Sequence, residues 1–398
     1  MRGRSEYRIP SVIMYYQKKY YLKMRNASSI SIGGGKERSS NLELYRIVCM
    51  LMIVAHHYVV LSGLMGTDGP MRAEPLAANS LYLYLFGMWG KTGINCFLMI
   101  TGYFMCYSSI SIRKFLKLYL WVVFYGAALV LFFAVIGYQP LSIKDIQVFF
   151  PFRTIHSDSF TSSFLVWWLF IPFLNVLVNN MTKRQHQLLI ALSVIVFTGY
   201  SFVPKLLNID VNPICWFSTI YMIASYIRKY PETICKSDSV KFWGITSMVL
   251  ITLSMVSVIA ILVLGNYMGR QLPQYWMVSD SQQPLALLVA VSTFMWFKNM
   301  KLPQNRLVNT LGGASFGVLL IHSGSTTMMR WLWKDAVDCV GHYSLSFLQL
   351  VGYSFGAVLA IYLVCSIIDY LRLKYLERPF FRWYDSKPRF VKLQSFLN

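Results

Sequence analysis

Hydrophobic residues gather along this chain in ten long, nearly unbroken blocks: 42–64, 81–108, 114–137, 163–180, 187–204, 213–230, 241–265, 283–300, 307–329 and 347–374. A helix crosses a bilayer with about 20 predominantly apolar residues, and every block is long enough or nearly so. Gly, Pro and charge mark the breaks, as at Gly137 to Pro140, Pro204, Pro213, Gly265 to Pro273 and Pro303. The pattern predicts an all-α, polytopic membrane protein with about ten transmembrane helices, filling a domain over 41–381. Residues 1–40 read as a basic, flexible cytoplasmic arm, helical and membrane-apposed near 12–23, with Met24 as an alternative start. Residues 382–398 read as a basic cytoplasmic tail. Ser40-x-x-Glu43 has the spacing of a capping box opening the first helix.

Composition agrees with this reading. Of 398 residues, 56% are hydrophobic and only 13% charged, about half the charged fraction of a soluble protein. The formal charge of +21 raises the question of nucleic acid, but nearly every basic residue flanks an apolar block, where membrane topology puts it. Nucleic acid is therefore not an expected partner. Of the 37 Lys and Arg residues, 28 fall on the side of the two termini and seven on the other. That asymmetry predicts a multi-pass plasma-membrane protein with both termini cytoplasmic. No secretory leader is visible, so the first span would act as an uncleaved signal. The seven cysteines show no metal-ligand spacing and read as free thiols, most of them buried. Oligomeric state is not legible.

Against this apolar background a few protonatable residues stand out. Arg46 and His57 are eleven residues apart, which returns them to nearly the same helix face, about 16 Å apart along the axis. His57 and His322 each lie about 22 Å into their spans from the cytoplasmic end, and Lys91 about 15 Å from the outer end of its own. Ionisable groups at such depth are costly to insert and point to function. Simpler roles stand beside each. Arg46 can snorkel as a topology anchor, His57 and His322 can be packing histidines, and Lys91 needs only a partner or a watery cavity. His56, about 100° round the helix from His57, reads as structural. Glu43 reads as the capping residue rather than the partner of Arg46. Arg153, His156 and Asp158 read as solvated loop residues, Asp369 as the partner of a basic neighbour such as Arg372, and the tryptophan pair of block four as belt or core.

The Arg46-x10-His57 pair resembles the signature of the acyltransferase-3 family, integral-membrane enzymes that acylate sugar hydroxyls. TGINCFLMITGYF in block two resembles another family segment through Gly93, Phe97, Thr101, Gly102 and Tyr103, with Thr101 where Ser is usual and Asn95 where Asp is frequent. FLVWWLFIPFL is similar to a third segment but lacks its His. SFGVLLIH places His322 at a family histidine, and Glu377-Arg378-Pro379-Phe380 resembles a closing segment. The resemblance implies transfer of an acyl group, acetyl above all, from acyl-CoA (acetyl-CoA or a relative) to a hydroxyl of a glycan or lipid-linked sugar at the bilayer. A hydroxyl must lose its proton to attack a thioester, and His suits that task near neutral pH. The expected catalytic residues are His57 as base, with Lys91 and His322. Arg46 and Thr101 are expected at the donor, and no metal is expected. The competing reading is a transporter or flippase of glycan or lipid-linked sugar without covalent chemistry; a non-catalytic acyl-CoA sensor has no feature in its favour.

Overall fold

The computed structural model describes residues 39–108, 111–152, 160–199, 201 and 211–387. Residues 1–38 of the expected N-terminal arm, the loop residues Arg153, His156 and Asp158, and the last residues of the tail lie outside the described residues. Among those described, all regular structure is helical. The principal helices are α1 (Ser40–Val60), α2 (Ala78–Gly87), α3 (Gly90–Met105), α4 (Ile112–Val135), α5 (Phe160–Asn180), α6 (Lys183–Val194), α7 (Pro213–Lys229), α8 (Val240–Tyr267), α9 (Pro284–Asn299), α10 (Arg306–His322) and α11 (Phe347–Arg372).

Five stretches are long and apolar enough to cross a membrane alone: α1, α4, α5, α8 and Phe347–Asp385, which begins with α11. A sixth is formed if Arg306–His322 and Thr326–Ser344, bent by 92° at their junction, count as one. The expected ten therefore do not appear as ten full-length helices. The second block divides at Met88–Trp89, where Gly87 and Gly90 weaken the helix interior. The fifth block yields a 12-residue helix followed by a π-helical turn. The sixth and eighth form helices of 17 and 16 residues, each starting at a proline, a residue suited to the first turn.

Helix α1 is the centre of the bundle, packing against α2, α3, α9, α10 and α11. Half of its most apolar stretch is buried against protein, against 22% for α4 and for α8. Tyr45, Cys49, Met50, Ile53, Val54, Tyr58 and Val59 are its contribution to the core. On α8, by contrast, Ile245, Met248, Val249, Leu253, Val256 and Ile259 remain exposed, an apolar face that only a non-aqueous surrounding would favour. The block-four tryptophans belong to the core: Trp167 is fully buried, edge-on to Phe217 and Tyr221.

The start of α1 is bound to a neighbouring helix. The Ser40 hydroxyl faces Asn309 Oδ1 (2.8 Å) and accepts the Asn305 N–H (2.9 Å), tying α1 to the start of α10. The Glu43 carboxylate accepts from Arg46 Nη1 at 2.8 Å, so it is the partner of Arg46, a role that the sequence pattern sets second to capping. A three-residue spacing that suits a capping box equally suits an ion pair on one helix face. The expected Asp369–Arg372 pair does form, with Nε donating to Oδ1 at 2.9 Å. Tyr125 and Trp121 of α4 donate to the same oxygen, and Arg372 reaches on to Glu377 (2.6 Å), which Lys117 also meets (2.7 Å).

Candidate active site

One turn before the end of α1, His56 and His57 point to different neighbours, and α10 ends on His322 beside them. His57 Nδ1 lies 2.9 Å from His322 Nε2. His322 Nδ1 in turn lies 2.6 Å from the Val318 carbonyl of its own helix. A carbonyl can only accept, so Nδ1 of His322 carries the hydrogen. In a neutral imidazole its Nε2 is then an acceptor, and the hydrogen between the rings belongs to His57 Nδ1. This leaves the lone pair of His57 on Nε2. His322 is fully buried, edge-on to Trp333 at 6.4 Å between ring centres, while His57 keeps partial exposure.

His56 makes a separate contact. Its Nδ1 donates to the Gly87 carbonyl at 2.6 Å. Gly87 is the last residue of α2, and terminal helix carbonyls have no partner within their own helix. The break in the second block thus supplies the acceptor that holds His56. Gly90, which opens α3, admits the ring; a Cβ there would overlap His56.

Lys91 follows in the first turn of α3, within electrostatic range of both His56 and His57. The structure thus gathers His57, His322 and Lys91 at one level. Arg46 and Thr101 do not join them. Helices α1 and α3 run antiparallel, with Gly90 beside His56 and Gly93 beside Cys49, so both residues lie toward the end where α1 begins. The Arg46 side chain is 26% exposed and held by Glu43. The Thr101 hydroxyl donates to Phe97 O of its own helix at 3.0 Å. Asn95 is fully buried and uses both ends of its amide: Nδ2 donates to Ser281 O (2.6 Å) and Oδ1 accepts from Trp216 Nε1 (2.9 Å). The seven cysteines are free thiols; Cys215 and Cys235 are exposed, and Cys49 lies in the core.

Two groups that shape the site were not anticipated, the carbonyls of Gly87 and Val318. Residue type does not signal a backbone acceptor, although the Gly87-x-x-Gly90 pair inside an apolar block was a visible sign of a break.

Apolar helices of membrane-crossing length around a histidine pair, His322 buried and His57 half-buried, define an integral-membrane protein with protonatable groups among its helices. A family model described as an acyltransferase domain, of the acyltransferase-3 kind, matches residues 39–368. The chain belongs to this family and is a membrane acyltransferase. The matched region includes Arg46, His57, Lys91, Thr101 and His322, while the Glu377-to-Phe380 segment lies beyond it. Neither a curated protein nor a solved structure matches the chain.

Proposed function

We propose that the chain moves an acyl group, acetyl foremost, from acyl-CoA to a sugar hydroxyl of a cell-envelope or extracellular glycan, with His57 Nε2 as general base. The observation that carries this reading is the chain of hydrogen bonds from Val318 O through His322 to His57. It orients the basic nitrogen of His57 away from His322. The acceptor hydroxyl gives its proton to Nε2 while its oxygen attacks the thioester carbonyl. Collapse of the tetrahedral intermediate breaks the C–S bond, and the leaving thiolate recovers the proton from His57, so the base is regenerated. Lys91, next to Gly90 in the first turn of α3, is assigned to balance the developing oxyanion, a role that fixed charge performs well in a site shielded from water. His322 acts through His57 as a positioning residue. Arg46 grips donor phosphates from the end where α1 begins: the guanidinium carries five donors, and the Glu43 contact leaves others for a phosphate. Thr101 keeps a packing role, since its hydroxyl is engaged by its own helix.

In this reading the shorter helices cross with the long ones to make ten spans of the plasma membrane. Both termini lie in the cytoplasm, where acyl-CoA is supplied; the 28-to-seven distribution of basic residues supports that orientation. The test is incubation of purified protein with acetyl-labelled acetyl-CoA and a panel of glycans. Label released as acetate by mild alkali from the glycan is expected. Glycan that crosses a vesicle membrane without ever acquiring label would instead make the chain a carrier.

A further inference from the structure

A polar cavity of about 290 Å³ opens at the end of the bundle where α1 finishes, between the loop after α1, helix α2 and the loop after α8. Arg72, Arg270, Asn266, Gln271, Gln274 and Tyr84 supply its chemistry. No Asp or Glu lines it, and among the described residues neither arginine has an ion-pair partner. Only seven of the 37 basic residues fall on this side of the chain, yet two share this one cavity. Both arginines are exposed, so water screens their charges, and what the lining offers an anion is two sets of N–H donors on one cavity with no carboxylate in the wall.

Both arginines spring from anchored backbone. Met71, beside Arg72, is fully buried, and its carbonyl accepts from Tyr84 Oη at 3.1 Å. The Arg270 N–H donates to Gly265 O at 3.0 Å, and a Cβ on Gly265 would press on the Arg270 carbonyl at 2.8 Å. The remaining polar groups are the neutral amides of Asn266, Gln271 and Gln274, which both donate and accept, as vicinal hydroxyls do. The volume lies near the lower end for ligand pockets, about 300 Å³, and suits a single sugar unit rather than a whole nucleotide cofactor. One lining residue, Tyr84, stands on the same helix as Gly87, one turn or about 4.5 Å along the axis away, and the Gly87 carbonyl holds His56.

We infer that this cavity receives an acidic sugar unit of the acceptor glycan, its carboxylate between Arg72 and Arg270 and its hydroxyls on the three amides. The inference rests on the acyltransferase reading for the meaning of "acceptor", but its test does not depend on turnover. Full-length protein without acyl-CoA is titrated with oligogalacturonate, with maltooligosaccharide of equal length, and with inorganic phosphate. Oligogalacturonate should bind best. Arg72→Gln and Arg270→Gln should each weaken it by about tenfold or more, the loss expected for a hydrogen bond to a charged group, while acyl-CoA binding is unchanged. Equal affinity for the neutral oligosaccharide, or unaltered binding in the double variant, overturns the inference. Phosphate displacing oligogalacturonate as well as free galacturonate does would make this a plain anion site and overturn the sugar assignment. Acyl transfer to a neutral glycan, undiminished in the double variant, would overturn the cavity's role yet leave the acyltransferase reading standing.

Discussion

A neutral imidazole has one donor and one acceptor nitrogen, and the Val318 carbonyl decides which is which in His322. The same choice passes to His57 and leaves its Nε2 as the lone pair facing away from the pair. The two histidines therefore have unequal roles, one holding the other. Replacing His322 by leucine removes the acceptor of the His57 Nδ1 hydrogen and frees the ring to rotate. Turnover is expected to fall by about a hundredfold, within the 10²–10⁴ that a positioned base supplies, with KM for acyl-CoA unchanged. His322→Gln, whose carbonyl oxygen can still accept, should recover part of the loss. Steady-state kinetics separate the outcomes: a raised KM with intact kcat would make His322 a donor-binding residue instead. The Arg46–His57 spacing and the similar depths of His57 and His322 were visible along the chain. Their contact was not, because the rings belong to helices 265 residues apart and the tautomer is set by a backbone oxygen.

At the level of helices, the interruptions do as much as the spans. The end of α2 at Gly87 offers His56 an acceptor, and the start of α3 at Gly90 makes room for the ring. Apolar content alone cannot place such a break: the Gly87-x-x-Gly90 pair hints at one, but the apolar run continues through it. For the same reason ten blocks were readable while the lengths of their helices were not. Glu43 illustrates the limit of local spacing: one interval fits two motifs, and the ion pair with Arg46 comes to light only in the folded helix. Asn95 gives a direct test of what joins α3 to α7 and to the segment before α9. An Asn95→Asp carboxylate would keep the Trp216 hydrogen bond but set an oxygen against Ser281 O, where the amide now donates. A buried group left without its partner costs about 1–3 kcal/mol. The variant should unfold at a lower temperature while its folded fraction keeps the wild-type KM for acyl-CoA. An unchanged Tm with abolished turnover would instead bring Asn95 into the chemistry.

The molecule as a whole sets its polar interior against an apolar exterior. Helix α1, surrounded by five others, carries Arg46 near its start and His57 near its end, so one element links the proposed donor-binding end of the bundle to the proposed base. The exposed apolar faces of α4 and α8 lie on the periphery. Membrane class and all-helical architecture could be read from composition because lipid exposure demands that composition of every peripheral helix. Which helix is central could not, since α1 is less apolar than α8 (mean hydropathy 1.4 against 2.7) and shows its importance only through what packs on it. The central claim, that His57 is the base of an acyl transfer inside this bundle, is tested most directly by single-turnover transfer in proteoliposomes. The wild-type protein is compared with His57→Ala and His56→Ala, and acyl-CoA binding is measured in parallel. His57→Ala should bind acyl-CoA normally and transfer about 10²–10⁴-fold more slowly, while His56→Ala, which loses only the Gly87 contact, should lose far less. Equal losses in the two variants, or a His57→Ala protein that transfers at the wild-type rate, would contradict the account.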